Sequence, residues 1–137
     1  MMFGIVLVPE AVRNELDQPE TPAVVRTWLE SRPSWLIGRP DAPCEADPAL
    51  KNLDVGEREA IRLAILSSAN LILMDDRAGA AAARAKGFTV VGTLGLIDLA
   101  GHKGLLDVRT AVQGLQATNF CCRPELLQKL LVRHRGS

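Results

Sequence analysis

Asn70-Leu71-Ile72-Leu73-Met74-Asp75-Asp76-Arg77, followed by the alanine-rich run Ala78 to Lys86 and then Gly87-Phe88-Thr89-Val90-Val91, decides the fold class. The first five residues form a short apolar run with no polar alternation, as in a strand buried on both faces. Ala78 to Lys86 predicts a helix, stopped by Gly87. Phe88 to Val91 predicts the next strand. A strand, a helix and a strand joined by short connections describe a parallel unit with its crossover helix.

The same alternation continues on both sides. Upstream, Ile5 to Val8 is a short β-branched run ended by Pro9, which suits the first turn of a helix reaching Leu16. Pro19 and Pro22 punctuate before a helix over Ala23 to Ser31. Ser34 to Ile37 predicts a strand between Pro33 and Gly38. Arg39 to Asn52, with Pro40, Pro43 and Pro48, predicts an irregular loop. Asp54-Val55-Gly56-Glu57 opens the clearest helix, reaching about Ser68. Downstream, helices are expected over Leu94 to Lys103, Asp107 to Gln116 and Pro124 to Arg133. The expected architecture is a three-layer α/β/α domain with a small, mostly parallel sheet, formed as a single domain over residues 1–137.

Composition narrows the function classes. Apolar residues make up 47% and charged residues 23%, an ordinary balance for a soluble globular chain. No run is long and apolar enough for a membrane span, and the start has no cationic leader region. Lysine plus arginine equals aspartate plus glutamate at 16 each, so bulk charge does not mark a nucleic-acid-coating protein. Cys44, Cys121 and Cys122 have neither disulfide-framework nor zinc spacing, and the cytoplasm is the expected compartment.

Acids at the carboxyl end of a buried strand stand where open α/β sheets bind ligands, which singles out Asp75 and Asp76. Hard divalent cations take oxygen ligands of this kind, while an Asp here can equally cap the following helix. Asp54 and Glu57 have capping-box spacing, which gives Glu57 a structural role. Glu59 cannot share a face with Glu57, two residues away, and periodicity places it outside the apolar face of Ala60, Ile61, Ala64 and Ile65, either in solvent or favoured by the dipole in the first helical turn. Glu15 stands near the end of the first helix, where the dipole opposes a carboxylate. Thr93 is read as a helix N-cap, and Gly92 to Gly95 alone supports a nucleotide-binding alternative. His102 and His134 are isolated in sequence. The basic end Lys129, Arg133, His134 and Arg135 complements a helix dipole or forms a solvated tail.

Three stretches together carry a family likeness: Leu53-Asp54-x-Gly56-Glu57-x-Glu59-Ala60-Ile61, Leu71 to Arg77, and Gly87-Phe88-x-Val90-x-Gly92-Thr93-Leu94-Gly95. With Phe3-Gly4-x-Val6-Leu7-Val8-Pro9-x-Ala11-Val12-x-x-Glu15-Leu16 and Asn119-Phe120, the chain resembles the PIN-like proteins. The resemblance implies a metal-dependent ribonuclease using Mg²⁺ or Mn²⁺, acting on RNA and often paired with a small antitoxin-like protein. It places catalytic and metal-binding roles on Glu15, Glu59 and Asp76, with Asp75 adjacent. Arg77, Thr93 and Lys103 are the candidate nucleic-acid contacts. The family's usual first strand, with its Asp, and the helix after it have no counterpart here. A homodimer, or a catalytically inactive module binding nucleic acid or protein, is the alternative this implies.

Overall fold

The computed structural model describes residues 4–40, 47–118, 120 and 122–135. It is an α/β protein whose described residues form four strands and seven α-helices. Strand β1 (Val6–Pro9) runs straight into helix α1 (Glu10–Leu16), with Pro9 as the N-cap. Helix α2 (Ala23–Glu30) follows Pro22, and strand β2 (Leu36–Arg39) pairs with β1 in parallel, Val6 opposite Leu36 and Pro9 opposite Arg39. The pairing carries β2 through Gly38, where the sequence suggests a strand end, because Val8 and Pro9 supply partners that far along.

A 3-10 turn at Pro48–Leu50 occupies part of the expected irregular loop; Cys44, like Cys121, lies outside the described residues. The Asp47 side chain accepts a hydrogen bond from the Ala49 N–H at 2.9 Å and pairs with Lys86 at 2.6 Å, fixing the turn. Leu50, the last residue of the turn, is completely buried in the apolar cluster with Ile61, Ile72 and Ala83. Helix α3 (Val55–Ser67), strand β3 (Leu71–Leu73), helix α4 (Arg77–Ala85) and strand β4 (Thr89–Val91) then complete the strand–helix–strand unit read from the sequence. Gly87, at φ +93°, makes the left-handed turn that ends α4.

The four strands are distributed as two two-stranded sheets, β1–β2 and β3–β4. Helix α3 packs against β1, β3, α1 and α4. Its Ile61 and Ala64 form one core cluster with Leu50, Ile72 and Ala83, with Leu53, Met74, Phe88 and Val90 packed against it. Full burial of Leu50 or Ile61 contributes roughly 1.5–3 kcal/mol each. The buried stripe of α3 is rotated from the expected one: Gly56, Glu59, Ile61 and Ala64 are buried, whereas Ile65 is 47% exposed.

The chain divides into two compact units, Met1–Val90 and Val91–Ser137. In the second, helices α5 (Thr93–His102), α6 (Val108–Gln116) and α7 (Pro124–Arg133) pack around Val108, Val112 and Leu130. Gly92, not Thr93, is the N-cap of α5, because Thr93 already has helical backbone. The two histidines are not isolated. His134 Nε2 lies 2.7 Å from Asp98 Oδ1, Arg133 pairs with Asp98 Oδ2 at 2.9 Å, and the His102 and His134 rings stand 5.3 Å apart. The basic end of the chain is thereby tied to α5 rather than left as a solvated tail.

Candidate metal centre

Helix α1 points its penultimate residue, Glu15, at the start of α3. Its carboxylate rests on Gly56: a Cβ built there would lie 2.6 Å from Glu15 Oε1 and 3.0 Å from Oε2. A glycine before Glu57 is thus what admits the Glu15 carboxylate. On the next turn of contacts, the Glu57 side chain lies against Gly79 of α4, whose added Cβ would stand 3.0 Å from Glu57 Cγ. Gly79 also donates its N–H to Asp76 Oδ2 at 2.7 Å. Two glycines therefore form a cradle along which Glu15, Glu57 and Asp76 follow one another.

Glu57 is the centre of this arrangement. Burial pushes its carboxyl above the usual range, opposed by a hydrogen bond from its own backbone N–H. The surrounding carboxylates of Asp54, Asp76 and Glu15 push it up further. Its Oε2 is buried without a hydrogen-bond partner among the described residues. An oxygen in that condition costs free energy until a cation or donor reaches it. The capping box expected from spacing is not formed: Asp54 is the N-cap residue of α3, but its side chain makes no cap hydrogen bond.

Glu59 engages different partners. It is 6% exposed, with Oε1 2.7 Å from Arg62 and 3.7 Å from Arg58. The solvated position inferred from periodicity is overturned, because two arginines on the same helix supply the charge that lets a carboxylate be buried. Of the three acids expected to meet, the structure brings Glu15 and Asp76 to Glu57 and gives Glu59 to the arginines.

Asp76 does cap α4, and its Oδ2 is committed to that bond. Asp75 precedes it and is exposed. Arg77, the first residue of α4, is exposed beside Asp76. Thr93 and Lys103 stand at opposite ends of α5, about 15 Å of helix apart, so they do not form one contact point. Among the described residues, no three His, Cys, Asp or Glu side chains already surround a point as metal ligands. The donor set nevertheless suits a hard cation: oxygen ligands only, one of them an orphaned buried oxygen, in a cradle that a Cβ would fill.

The sequence did not single out Glu57 beside Glu15 and Asp76, because its spacing from Asp54 already gave it a structural role. The signal available was Gly56, a helix-destabilising residue in the first turn of α3, where a good helix former costs nothing unless space is needed. No curated protein and no solved structure matches the chain. The profile of the family described as a PIN domain matches residues 1–135, nearly the whole length. With an α/β architecture and acids gathered from α1, α3 and the end of β3, the chain belongs to the PIN-domain family.

Proposed function

We propose that this protein is a metal-dependent nuclease acting on RNA, with Glu15, Glu57 and Asp76 as the cation-holding carboxylates and Asp75 beside them. The observation that carries the reading is the convergence of carboxylates on Glu57 with an orphaned oxygen at its centre. Membership of the PIN-domain family supports nuclease-type chemistry and the general use of divalent metals. Mg²⁺ or Mn²⁺ is the cation of choice for such a donor set. When bound, it supplies Lewis-acid polarisation of a phosphodiester and a more acidic water.

The protein's own residues have distinct tasks. Glu15 and Glu57 provide the concentrated negative charge that attracts a cation. Asp76, held by the Gly79 N–H, keeps Oδ2 committed and Oδ1 for the site. Arg77, exposed at the start of α4, is placed to meet a phosphate. Glu59 is taken up by Arg62 on the same helix, which leaves it out of the proposed cation set.

Calorimetric titration of Mn²⁺ into the wild-type chain and the Glu57→Gln variant tests this reading, together with degradation of single-stranded RNA in the presence and absence of Mn²⁺. Binding and cleavage lost together in the variant are expected. Equal Mn²⁺ binding by both proteins would remove the site. A second reading, a non-catalytic PIN-like module that pairs with itself or with a small antitoxin-like protein, draws on the capping role that already occupies one Asp76 oxygen. Metal-dependent RNA degradation that is lost on Glu57→Gln substitution excludes it.

A further inference from the structure

Each of the two strand pairs is open along an edge, and helix α3 bridges them. In β1 the Val6 N–H donates to the Trp35 carbonyl at 2.9 Å, so Val6 and Val8 turn their backbone groups toward β2. Leu7, between them, turns its N–H and C=O the other way, where no described residue supplies a partner. Strand β3 is paired on one side only, by β4. Helix α3 packs against both β1 and β3, while β2 packs against α1. A helix is about 10–12 Å across and paired strands stand about 4.8 Å apart, so strands under one helix lie one or two spacings apart. One spacing would make β1 and β3 a ladder, which they do not form. Two spacings leave between them the width of a single strand. The strands on both sides are apolar throughout, yet Leu73 is 42% exposed and Ile5, just before β1, is 63% exposed.

We propose that the place between β1 and β3 takes an extended segment of a partner protein: an apolar strand, matching the four residues of β1, with a lysine or arginine at its carboxyl end. The edge strand of a second folded copy has one open edge to offer, whereas here both sides need a partner. The occupant is therefore a segment unpaired in its own protein, adding its backbone to the sheet as extended peptides do. Charge decides how it ends. Helix α3 returns to β3 through residues 68–70 alone, so it runs antiparallel to β3 and its first turn lies at the carboxyl end of β3, near Asp76. Glu15, on the helix that follows β1, rests on Gly56 in that same turn. A segment parallel to its neighbours thus ends among Glu15, Glu57 and Asp76, where a basic side chain is complementary. That this side chain takes the place of the cation rests on the metal-site reading given above, and it makes the partner an inhibitor of that site.

The test uses a synthetic peptide of alternating valine and isoleucine followed by arginine, carrying a dye on a soluble linker. It is added to the full chain in EDTA and followed by fluorescence anisotropy and by amide hydrogen exchange. Two control peptides differ by one change each: N-methyl groups at alternate residues, or glutamate in place of the arginine. The parent peptide should bind and protect the Leu7 N–H from exchange, while Val6, already bonded to β2, changes little. N-methylation, which removes two or more backbone hydrogen bonds, and the charge reversal should each weaken binding about tenfold. Saturating Mn²⁺ should weaken the arginine peptide by competition. The proposal is overturned if the N-methylated peptide binds as well as the parent, if the arginine and glutamate peptides bind equally, or if Leu7 exchange is unmoved. Leu7 protected without any peptide, in a chain that sediments as a dimer, would give the edge to a second copy and overturn it too. Peptide binding that meets the other expectations but is indifferent to Mn²⁺ would instead overturn the cation reading and leave the strand site standing.

Discussion

Glu57 and Glu59 are chemically identical, two residues apart on one helix, and live in opposite electrostatic surroundings. Glu59 is buried against Arg62 and Arg58, with its charge answered at 2.7 and 3.7 Å. Glu57 is half-buried, and after burial itself the charges of Asp54, Asp76 and Glu15 raise its carboxyl; each of the two acids keeps one buried oxygen without a hydrogen-bond partner among the described residues, so the difference lies in the charges around them. The 200° of helical rotation between such positions is what separates them: one side of α3 meets its own arginines, the other meets α1 and α4. A carboxylate whose charge is satisfied belongs to the architecture. One whose charge is aggravated by its neighbours is the one we propose as a cation ligand.

The largest expected effect breaks this contrast on the structural side. Glu59→Ala withdraws the negative partner from arginines that are themselves only partly exposed, Arg62 at 14%. Breaking a buried pair by removing one member typically costs about 3–5 kcal/mol. Urea denaturation should therefore show a large fall in the midpoint for Glu59→Ala and little or no fall for Glu57→Gln. Equal losses would mean that both acids are architectural and the contrast is false.

The next effect breaks it on the functional side. Gly56→Ala puts a methyl group where the Glu15 carboxylate now rests. The obstacle is the end of a flexible side chain, and alanine is the better helix former by about 1 kcal/mol, so the helix itself should not suffer. Glu15 must move away from Glu57, and Mn²⁺ affinity measured by calorimetry should fall about tenfold, or about 1.4 kcal/mol, at unchanged or raised stability. A variant that binds Mn²⁺ as well as the wild type would take Glu15 out of the site.

Much of the fold was open to inspection in the chain itself, and the reasons are local. Leu71 to Leu73 and Thr89 to Val91 are short apolar strands between clear punctuation, and Asp76 and Gly87 mark the two ends of α4 with standard capping chemistry. Leu50 was not legible, because it is buried against Ile61, Ile72 and Ala83, residues far along the chain that no local pattern links to it. Part of the proposed site could be read. Asp76 follows from its place after a strand, and Glu15 from the family likeness. That Glu57 rather than Glu59 lies beside Glu15 and Asp76 could not be read, since spacing says which residues share a helix face but not what the neighbouring element brings to that face. Glu15 arrives over Gly56 from a helix 40 residues earlier in the chain. The division of the strands into two pairs likewise depends on long-range pairing that no local pattern encodes.

The smallest effect sharpens the comparison through pH. The folded protein holds the Glu57 carboxyl above its ordinary value of 4.5, chiefly through burial and then through its acidic neighbours. At pH well below 4.5 the group is protonated in both folded and unfolded chains and exerts no pH-dependent effect. As pH rises past 4.5 the unfolded chain ionises first, so the proton-holding folded state loses ground until Glu57 itself ionises. Glu57 thus favours folding at low pH, and that contribution is lost as pH climbs through its raised value. Asp47 and Asp107 are held low by Lys86 and Thr110 and act with the opposite sign, but they are common to wild type and Glu57→Gln. The difference in unfolding free energy between the two proteins therefore isolates Glu57, and it should decline from acid to neutral pH in EDTA. Saturating Mn²⁺ should reverse the trend, because a bound cation favours the ionised carboxylate that Gln cannot supply. A difference curve that is flat in EDTA and unmoved by Mn²⁺ would show that the carboxylates around Glu57 are too far away, or too well hydrated, to act on it.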